Sequence, residues 1–457
     1  MVSLADREPV NSLERLRVLL ADSGGQLYYK ELRALRVDSA RVSRSLAAHC
    51  GSRVKAWLSA CVNCGLCAQS CPFYLARRDP HYIPAYKART LAHLLHSQGR
   101  VSSRFMIRAM DTAWGRCSCC NRCGVHCPMG IDSGVILNIL RTVLFEQGFV
   151  PWEMKIGSGM HRVFGAQMDV SNEDWLDTCA WLEEEHPGLR IPVDRPGSRT
   201  LYILNAREVK HYPQDIAAAA LLFYLAGEDW SVTSRGWDST SLSLFAGDRE
   251  GCAQNVRRVY NAVETLRPGR VVGTECGHAY RATVVEGPYW DGRRDGKTPV
   301  PFLHYVEWLA EALREGRLKV DPARRIKEPV TIQDPCNIVR NGGLGRALRE
   351  VVYAIAEDVR EMPESGDHAL CCGGGGGLNG IGRYRASRNT AFEAKVKHIR
   401  ATGAKLVIMF CHNCWDATRD MLYLYDVRGV RRSLLKPLVL RCLERGDDLE
   451  NPYDGIE

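Results

Sequence analysis

Eight of the nineteen cysteines fall into two copies of one spacing, Cys61-x2-Cys64-x2-Cys67-x3-Cys71-Pro72 and Cys117-x2-Cys120-x2-Cys123-x3-Cys127-Pro128. No other feature limits the folding of this chain as much. Three cysteines at three-residue steps wrap a loop around one face of an iron–sulfide cube. The fourth reaches the other cube from the start of a helix, and proline closes the loop. The spacing therefore predicts two [4Fe–4S] cubanes with exchanged fourth ligands. Cys61, Cys64, Cys67 and Cys127 form one set, and Cys117, Cys120, Cys123 and Cys71 the other. Zinc is the competing reading, but zinc favours paired Cys-x2-Cys knuckles at four-coordinate sites, and the matched Cys-Pro endings point away from it. Cys119, inside the second motif, is expected not to be a ligand, and His126 is expected to donate a hydrogen bond to a cluster.

A chain of 457 residues exceeds one ordinary core, so two or three domains are expected. The opening stretch "MVSLADREPV" lacks the apolar run of a leader, and nineteen cysteines without one argue for metal ligands or redox thiols over a disulfide scaffold. No segment approaches the ~20 apolar residues of a membrane span. The best candidate, 216–227, reads as a short helix capped by Gly227. A cytoplasmic protein, held at the inner face of the membrane through partners if at all, is the expectation. The net charge of +8 is scattered over pairs such as Arg77-Arg78 and Arg431-Arg432, which read as solvated surface. The alternative is a basic face for an acidic partner or for lipid headgroups. No aromatic–basic module suggests nucleic-acid binding.

Five segments are expected. Residues 1–55 carry helical periodicity, 56–150 a helical two-cluster domain, and 151–199 a Trp- and acid-rich linker. From Leu201 short β-runs alternate with helices, "LYILNA", "RVVGTEC", "PVTIQDPC" and "AKLVIMFC" among them. That alternation predicts parallel sheet with ligand-bearing loops at the carboxyl ends of its strands. The second half also repeats internally. "RVVGTECGHA" lies over "AKLVIMFCHNC", pairing Cys276 with Cys411, and 202–207 lies over 331–336, placing Arg207 opposite Cys336. Gly236-Trp237 then falls where the second copy has Cys371-Cys372. The fold class expected is therefore multidomain α plus α/β. A helical ferredoxin domain precedes two Rossmann-like units, one degenerate (200–325) and one intact with a C-terminal helix (326–457).

The intact unit holds Cys336, Cys371-Cys372 and Cys411-x2-Cys414. A single cubane has no use for five thiolates, nor a mononuclear zinc for adjacent ones. This pattern resembles the CCG domain of heterodisulfide reductases, in which five cysteines hold a noncubane [4Fe–4S] cluster that cleaves a disulfide. The 38-residue second gap is slightly longer than the usual one. The helical cluster region resembles the two-cluster ferredoxin domains of respiratory complexes. The combination of "CVNCGLCAQSC", "CSCCNRCGVHCPMGID" and "TECGHAYR" over about residues 55–420 is similar to heterodisulfide reductase D-like proteins. Within these it resembles most the K subunit of the Dsr membrane complex and its Hmc and Tmc paralogues. The resemblance implies a noncubane cluster on Cys336, Cys371, Cys372, Cys411 and Cys414. It also implies a cytochrome b-type membrane partner and, for the Dsr branch, a small cysteine-tailed DsrC-like substrate protein. No flavin or nicotinamide is expected on this chain.

Cleaving an S–S bond takes two electrons, and the leaving thiolates need protons. His368, His412 and His278 are candidate proton donors because each lies within a few residues of a cluster cysteine or its repeat equivalent, with a structural hydrogen bond as the alternative for each. Glu275 and Asp416 are weaker candidates. The run Gly373–Gly377 lacks the Lys-Ser/Thr of a phosphate loop and an acidic residue at dinucleotide-fold spacing. Gly373, Gly374 and Gly375 are instead expected beside the cluster, where glycine admits positive φ and close backbone approach to sulfide and leaves room for a substrate sulfur. Cys276 reads as a remnant, a sixth ligand or a reactive thiol. Cys50, Cys179, Cys252 and Cys442 read as incidental buried thiols. Two further functions stand beside disulfide or trisulfide reduction. One is an electron-transfer subunit without a substrate of its own. The other is the iron–sulfur subunit of a flavin-dependent glycolate, lactate or glycerol-phosphate oxidation system.

Overall fold

The structure, a computed structural model, describes residues 3–444. No β-strand precedes Thr200 among the described residues; the chain there is helical. Ser12, Asp38 and Ser102 each accept a backbone N–H at the start of their helices, Leu13–Ala21, Ser39–His49 and Ser103–Ala113, supplying a partner that the first helical turn lacks. The centre of this region is the helix Ser133–Glu146, capped by Asp132 and buried over most of its length. Its sequence, "VILNILRTVLF", is apolar all round, as a helix enclosed by others must be. It packs against the helices Pro84–His96 and Ser103–Ala113, so the loops carrying both cysteine motifs rest on its N-terminal end.

The stretch 151–199 is not the plain connector expected. It contains the helices Trp152–Phe164 and Asn172–Glu185. Met154 and Ile156 of the first join the core of the N-terminal helices, whereas Trp175 and Leu182 of the second join the core of the sheets. Burying these side chains fastens the two halves together; their polar neighbours masked the pattern in sequence.

Two parallel sheets follow. Strands β1 (Thr200–Ile203), β2 (Trp230–Ser231), β3 (Arg270–Gly273) and β4 (Phe302–His304) run in the order β2-β1-β3-β4. Strands β5 (Val330–Gln333), β6 (Leu406–Met409) and β7 (Arg431–Leu434) run in the order β5-β6-β7, and Val359 bridges Val330 on the outer side of β5 as β2 flanks β1. In both sheets an 18-residue helix, Arg249–Leu266 or Arg385–Thr402, leads into the strand that pairs with the first. One apolar core, with Tyr202, Trp308, Ile332, Val407 and Leu435 among its members, serves both sheets. The helix expected near 216–227 spans Pro213–Leu225, with Gly227 at φ +59° just beyond it. The expected C-terminal helix is Leu435–Cys442; the remainder of the expected last segment, 445–457, lies outside the described residues. No helix among the described residues is long and apolar enough to cross a membrane.

Candidate metal centre

The first motif begins where the helix Ser52–Ala60 ends. Asn63 and Gly65 adopt positive φ, turning the loop so that successive cysteines converge. Cys61, Cys64, Cys67 and Cys127 line one cavity of about 110 Å³ together with Trp57, Ile131 and Ile136. No carboxylate lines it, and Arg89, the one charged residue in its wall, donates to Asn63 Oδ1 at 2.8 Å. Four thiols in an apolar pocket suit an iron–sulfur cluster and not a hard cation.

Cys71, Cys117, Cys120 and Cys123 line a second, tighter space. Cationic side chains lie in and around its walls. Lys87, 2% exposed, places Nζ 3.5 Å from Cys71 Sγ and 2.8 Å from the Arg116 carbonyl. Burial alone would lower the Lys87 pKa; the thiolates of Cys71 and Cys117 hold it raised instead. Arg141, fully buried, donates to the carbonyls of Ala113, Phe245, Gly376 and Cys117. Arg122 ties His368 O (2.7 Å) to Ser70 O (2.7 Å), and Arg340 ties Asp367 O (2.6 Å) to Cys120 O (2.9 Å). A cluster with four thiolates carries net negative charge, and buried cations of this kind offset it. Cys119 stands beside this set: its amide donates to Cys117 Sγ at 3.3 Å and its carbonyl accepts from Arg281 at 3.1 Å.

The third thiol group forms at the carboxyl ends of β5 and β6, where Cys336 and Cys411 follow their strands, the usual place for ligands in parallel sheets. Cys414 Sγ lies 3.3 Å from Cys372 Sγ and hydrogen-bonds Cys411. Cys371 hydrogen-bonds Cys336 and Cys372 and, across the boundary, Cys120 of the second set. Ser118 Oγ sits 3.4 Å from Cys371 Sγ. The glycines are buried, not a loose tether. The Gly373 amide donates to Cys371 Sγ at 3.3 Å and the Gly374 amide to Cys372. Gly376, at φ +63°, lies against the Ser118 backbone, while a Cβ on Gly375 would stand 3.9 Å from His278 Nε2.

The three histidines part company. His278 is buried on Phe245, and its Nε2 is unpartnered and directed at the glycine run. Burial, then the charges of Arg207, Arg281 and Arg141, push its pKa down to about 3, leaving a neutral ring. Gln333 Oε1 and Arg207 Nε are likewise buried without partners near this site. Such atoms fit a group that fills the thiol cage. His412 turns away: Nε2 lies 3.1 Å from Asp215 Oδ2 and Nδ1 3.3 Å from Asn205 Nδ2. His368 is exposed, 3.4 Å from His126. Asp416 is bonded to Arg207 and Tyr212, and Glu275 Oε1 accepts the Lys436 amide at 3.0 Å. Glu208, Asp215 and His412 have metal-ligand geometry, but the Lys436 ammonium stands among them, 3.0 Å from Glu208 and 2.8 Å from Asp215. Cys276, buried, raises no separate site; it faces the charge of Cys411. Cys50, Cys179, Cys252 and Cys442 are buried and far in sequence from one another. Of the functional side chains that the spacing did not reveal, only Arg141 left a signal, a lone charge inside an apolar helix; Lys87, Arg281 and Ser118 did not.

A 4Fe-4S dicluster domain family matches residues 57–131, and a cysteine-rich domain family, CCG, matches 330–415. The first sheet lies outside both matches. The chain is 23% identical over 379 residues to the Hdr-like menaquinol oxidoreductase iron-sulfur subunit of Archaeoglobus profundus, covering 71% of this chain and 68% of that one. It is 24% identical over 376 residues to a subunit of the dihydromethanophenazine:CoB–CoM heterodisulfide reductase of Methanosarcina barkeri, covering 78% and 87%. It is 23% identical over 370 residues to the EtfAB:quinone oxidoreductase of Syntrophomonas wolfei, covering 70% and 48%.

Proposed function

We propose that this chain, which carries the 4Fe-4S dicluster and CCG domains of heterodisulfide-reductase-like iron–sulfur proteins, makes or breaks disulfide or trisulfide bonds as the catalytic subunit of a membrane-associated redox complex. The observation that carries this reading is the contact of Cys120 with Cys371, which joins the second thiol group to the third. Bound there, two cubanes and one noncubane cluster supply one-electron carriage and, at the five-thiol group, disulfide redox chemistry.

The residues of the chain have separate tasks. Reducing one S–S bond to two thiols consumes two electrons and two protons, so charge arrives at the five-thiol group in single steps and must be balanced there. Lys395, 1% exposed and facing the thiols of Cys372, Cys414 and Cys371, together with Arg388 beside Cys372, offsets it. Ser118 and the Gly373 amide hold the Cys371 sulfur in place. Gly375 leaves the space that a substrate sulfur enters, and His278 faces that space to donate a hydrogen bond to the leaving sulfur. His412 serves as a positioning residue in the buried Asp215–Lys436 cluster, and His368 belongs to the outer rim. The first sheet is a degenerate CCG-type unit in which Trp237, fully buried beside Trp175, stands at the repeat position that the cysteine pair takes in the second unit. The substrate is a small cysteine-tailed, DsrC-like protein. The partner is a cytochrome b-type membrane subunit, and the chain sits peripherally on the cytoplasmic face.

Anaerobic iron analysis and EPR test this. Three four-iron clusters give about 12 iron atoms per chain, and Cys372→Ser should remove the third cluster's oxidised signal while both cubane signals persist. Loss of no signal in the variant would sink the five-thiol assignment. His278→Gln, which keeps an N–H, should retain more disulfide turnover than His278→Phe at equal iron content. Co-purification of a flavoprotein oxidase in place of a cytochrome b would move the chain to the flavin-dependent class.

A further inference from the structure

The thirteen cysteines of the three groups are not equally shielded: Cys64, in the first set, is the one exposed cysteine among the described residues. Around it, apolar side chains face solvent where a folded surface ordinarily would bury them. Val62 is 73% exposed, Leu66 52% and Met129 53%, and all three line the mouth of the first cavity; Val125, 42% exposed, lies two residues from Cys127. A cluster of exposed apolar residues at one place marks an interaction face. The surrounding charge has one sign. Arg89 forms part of the cavity wall, Arg53 extends over the Trp57 ring beside it, and no carboxylate lines the cavity. Residues 51–131 contain eleven lysines and arginines against Asp79 and Asp111, a net +9 where the entire chain has +8. The rest of the chain is therefore at −1, and the positive field of this protein belongs to the two-cluster region.

We propose that this face is where electrons enter or leave the chain, and that its occupant is an acidic one-electron redox protein. Apolar contact forms at the centre, over Cys64, and Arg53 and Arg89 pair with carboxylates at the rim. The inference rests on the reading that Cys61, Cys64, Cys67 and Cys127 hold a cubane. Each encounter moves one electron between partner and chain, one oxidised as the other is reduced, and no proton is required. The cysteines of the second and third thiol groups are buried or partly buried whereas Cys64 is exposed, so this face is the outward end of the series. A lipid surface would satisfy the charge but would bring no redox centre to Cys64.

The test uses the anaerobic full-length protein and reduced flavodoxin, an acidic one-electron donor, with cluster bleaching followed by stopped flow. The second-order rate should fall steeply with ionic strength, and Arg53→Glu with Arg89→Glu should lower it about tenfold or more at low salt. Val62→Asp should lower it as well. Photoreduced deazaflavin, a small donor that needs no docking face, should reduce all forms equally, and Tyr423→Asp, at a site 84% exposed elsewhere, should change neither rate. If Arg89→Glu loses iron, Arg89→Gln and Arg53→Glu singly carry the same comparison. A rate indifferent to salt and to the charge reversals overturns the proposal. So does binding to phosphatidylglycerol vesicles that the reversals abolish while the flavodoxin rate stays unchanged. If Cys64→Ala leaves iron content and both cubane EPR signals intact, the underlying cluster reading fails, which is a different result from a cubane that is present but insensitive to its rim.

Discussion

Alanine at Gly376 should break the joint between the second and third thiol groups, whereas alanine at the preceding Gly375 should leave it intact. Gly376 has φ +63°, and a Cβ there would lie 2.6, 2.8 and 3.0 Å from the O, C and Cα of Ser118. A left-handed backbone costs an L-residue about 1–2 kcal/mol, and forcing a methyl group into packed surroundings costs a further ~1–3 kcal/mol. All three nearest atoms are backbone, so no rotamer change relieves the contact. The Gly376 carbonyl also accepts from Arg141 Nη1 at 2.9 Å, a bond that the shift would strain. The expected loss is about 2–5 kcal/mol, large against a typical total of ~5–15 kcal/mol. Gly375 has no positive φ, and its Cβ would meet Ser118 O at 3.7 Å and His278 Nε2 at 3.9 Å, ordinary contact. Its alanine variant should stay within about 0.5 kcal/mol of the parent, but should raise KM for a disulfide substrate by narrowing the space before His278. Guanidinium titration of the loaded protein, followed by cluster absorbance and far-UV circular dichroism, compares the two. Equal midpoints for the two variants would refute the reasoning.

Three other outcomes are expected. Arg141→Lys replaces a planar fork serving four carbonyls with a single ammonium. Carbonyls left buried without a donor cost ~1–3 kcal/mol each, so the melting temperature should drop, and on the proposed assignment the midpoint potential of a cluster held by the second thiol set should shift. Burial, then the charge of Arg258, pushes His161 down to about 3, while the unfolded chain keeps it near ~6.5. The unfolded state therefore binds more protons below pH 6.5, and stability present above that pH falls by up to about 1.4 kcal/mol per unit as pH drops toward 3. His161→Gln should flatten that slope in denaturation curves taken between pH 7.5 and 5.5. Trp237→Ala, which empties a fully buried indole site against Trp175 and removes a bond to Asn172, should cost about 3–5 kcal/mol by the same titration.

Much of the architecture was legible because its signals are local. Alternating β-runs and helices announced parallel sheet, and the strands preceding Cys276, Cys336 and Cys411 stand where that alternation placed them. The two helices within 151–199 were not legible: "NEDWLDTCAWLEEE" scatters Trp175, Cys179 and Leu182 among acids, and only the packed core shows that these three share a face. Of the histidines, proximity in sequence treated three alike. Adjacent residues on a helix point in different directions, so His412, next to Cys411, faces Asp215, and His278, from the other sheet, faces the glycines.

The sequence by itself marked the two dense cysteine motifs, because cysteines held in one short loop obey a spacing rule that needs no knowledge of the rest of the chain. It also determined that the second half would present cysteines at strand ends. The tertiary structure alone decided how the sets join. Ser118 and Cys371 are 253 residues apart, and Arg141 and Gly376 235, yet they touch. Which buried cation faces which thiolate, and which histidine faces the space beside the cysteine pair, follow from the packing of one layer on another. No local pattern encodes them.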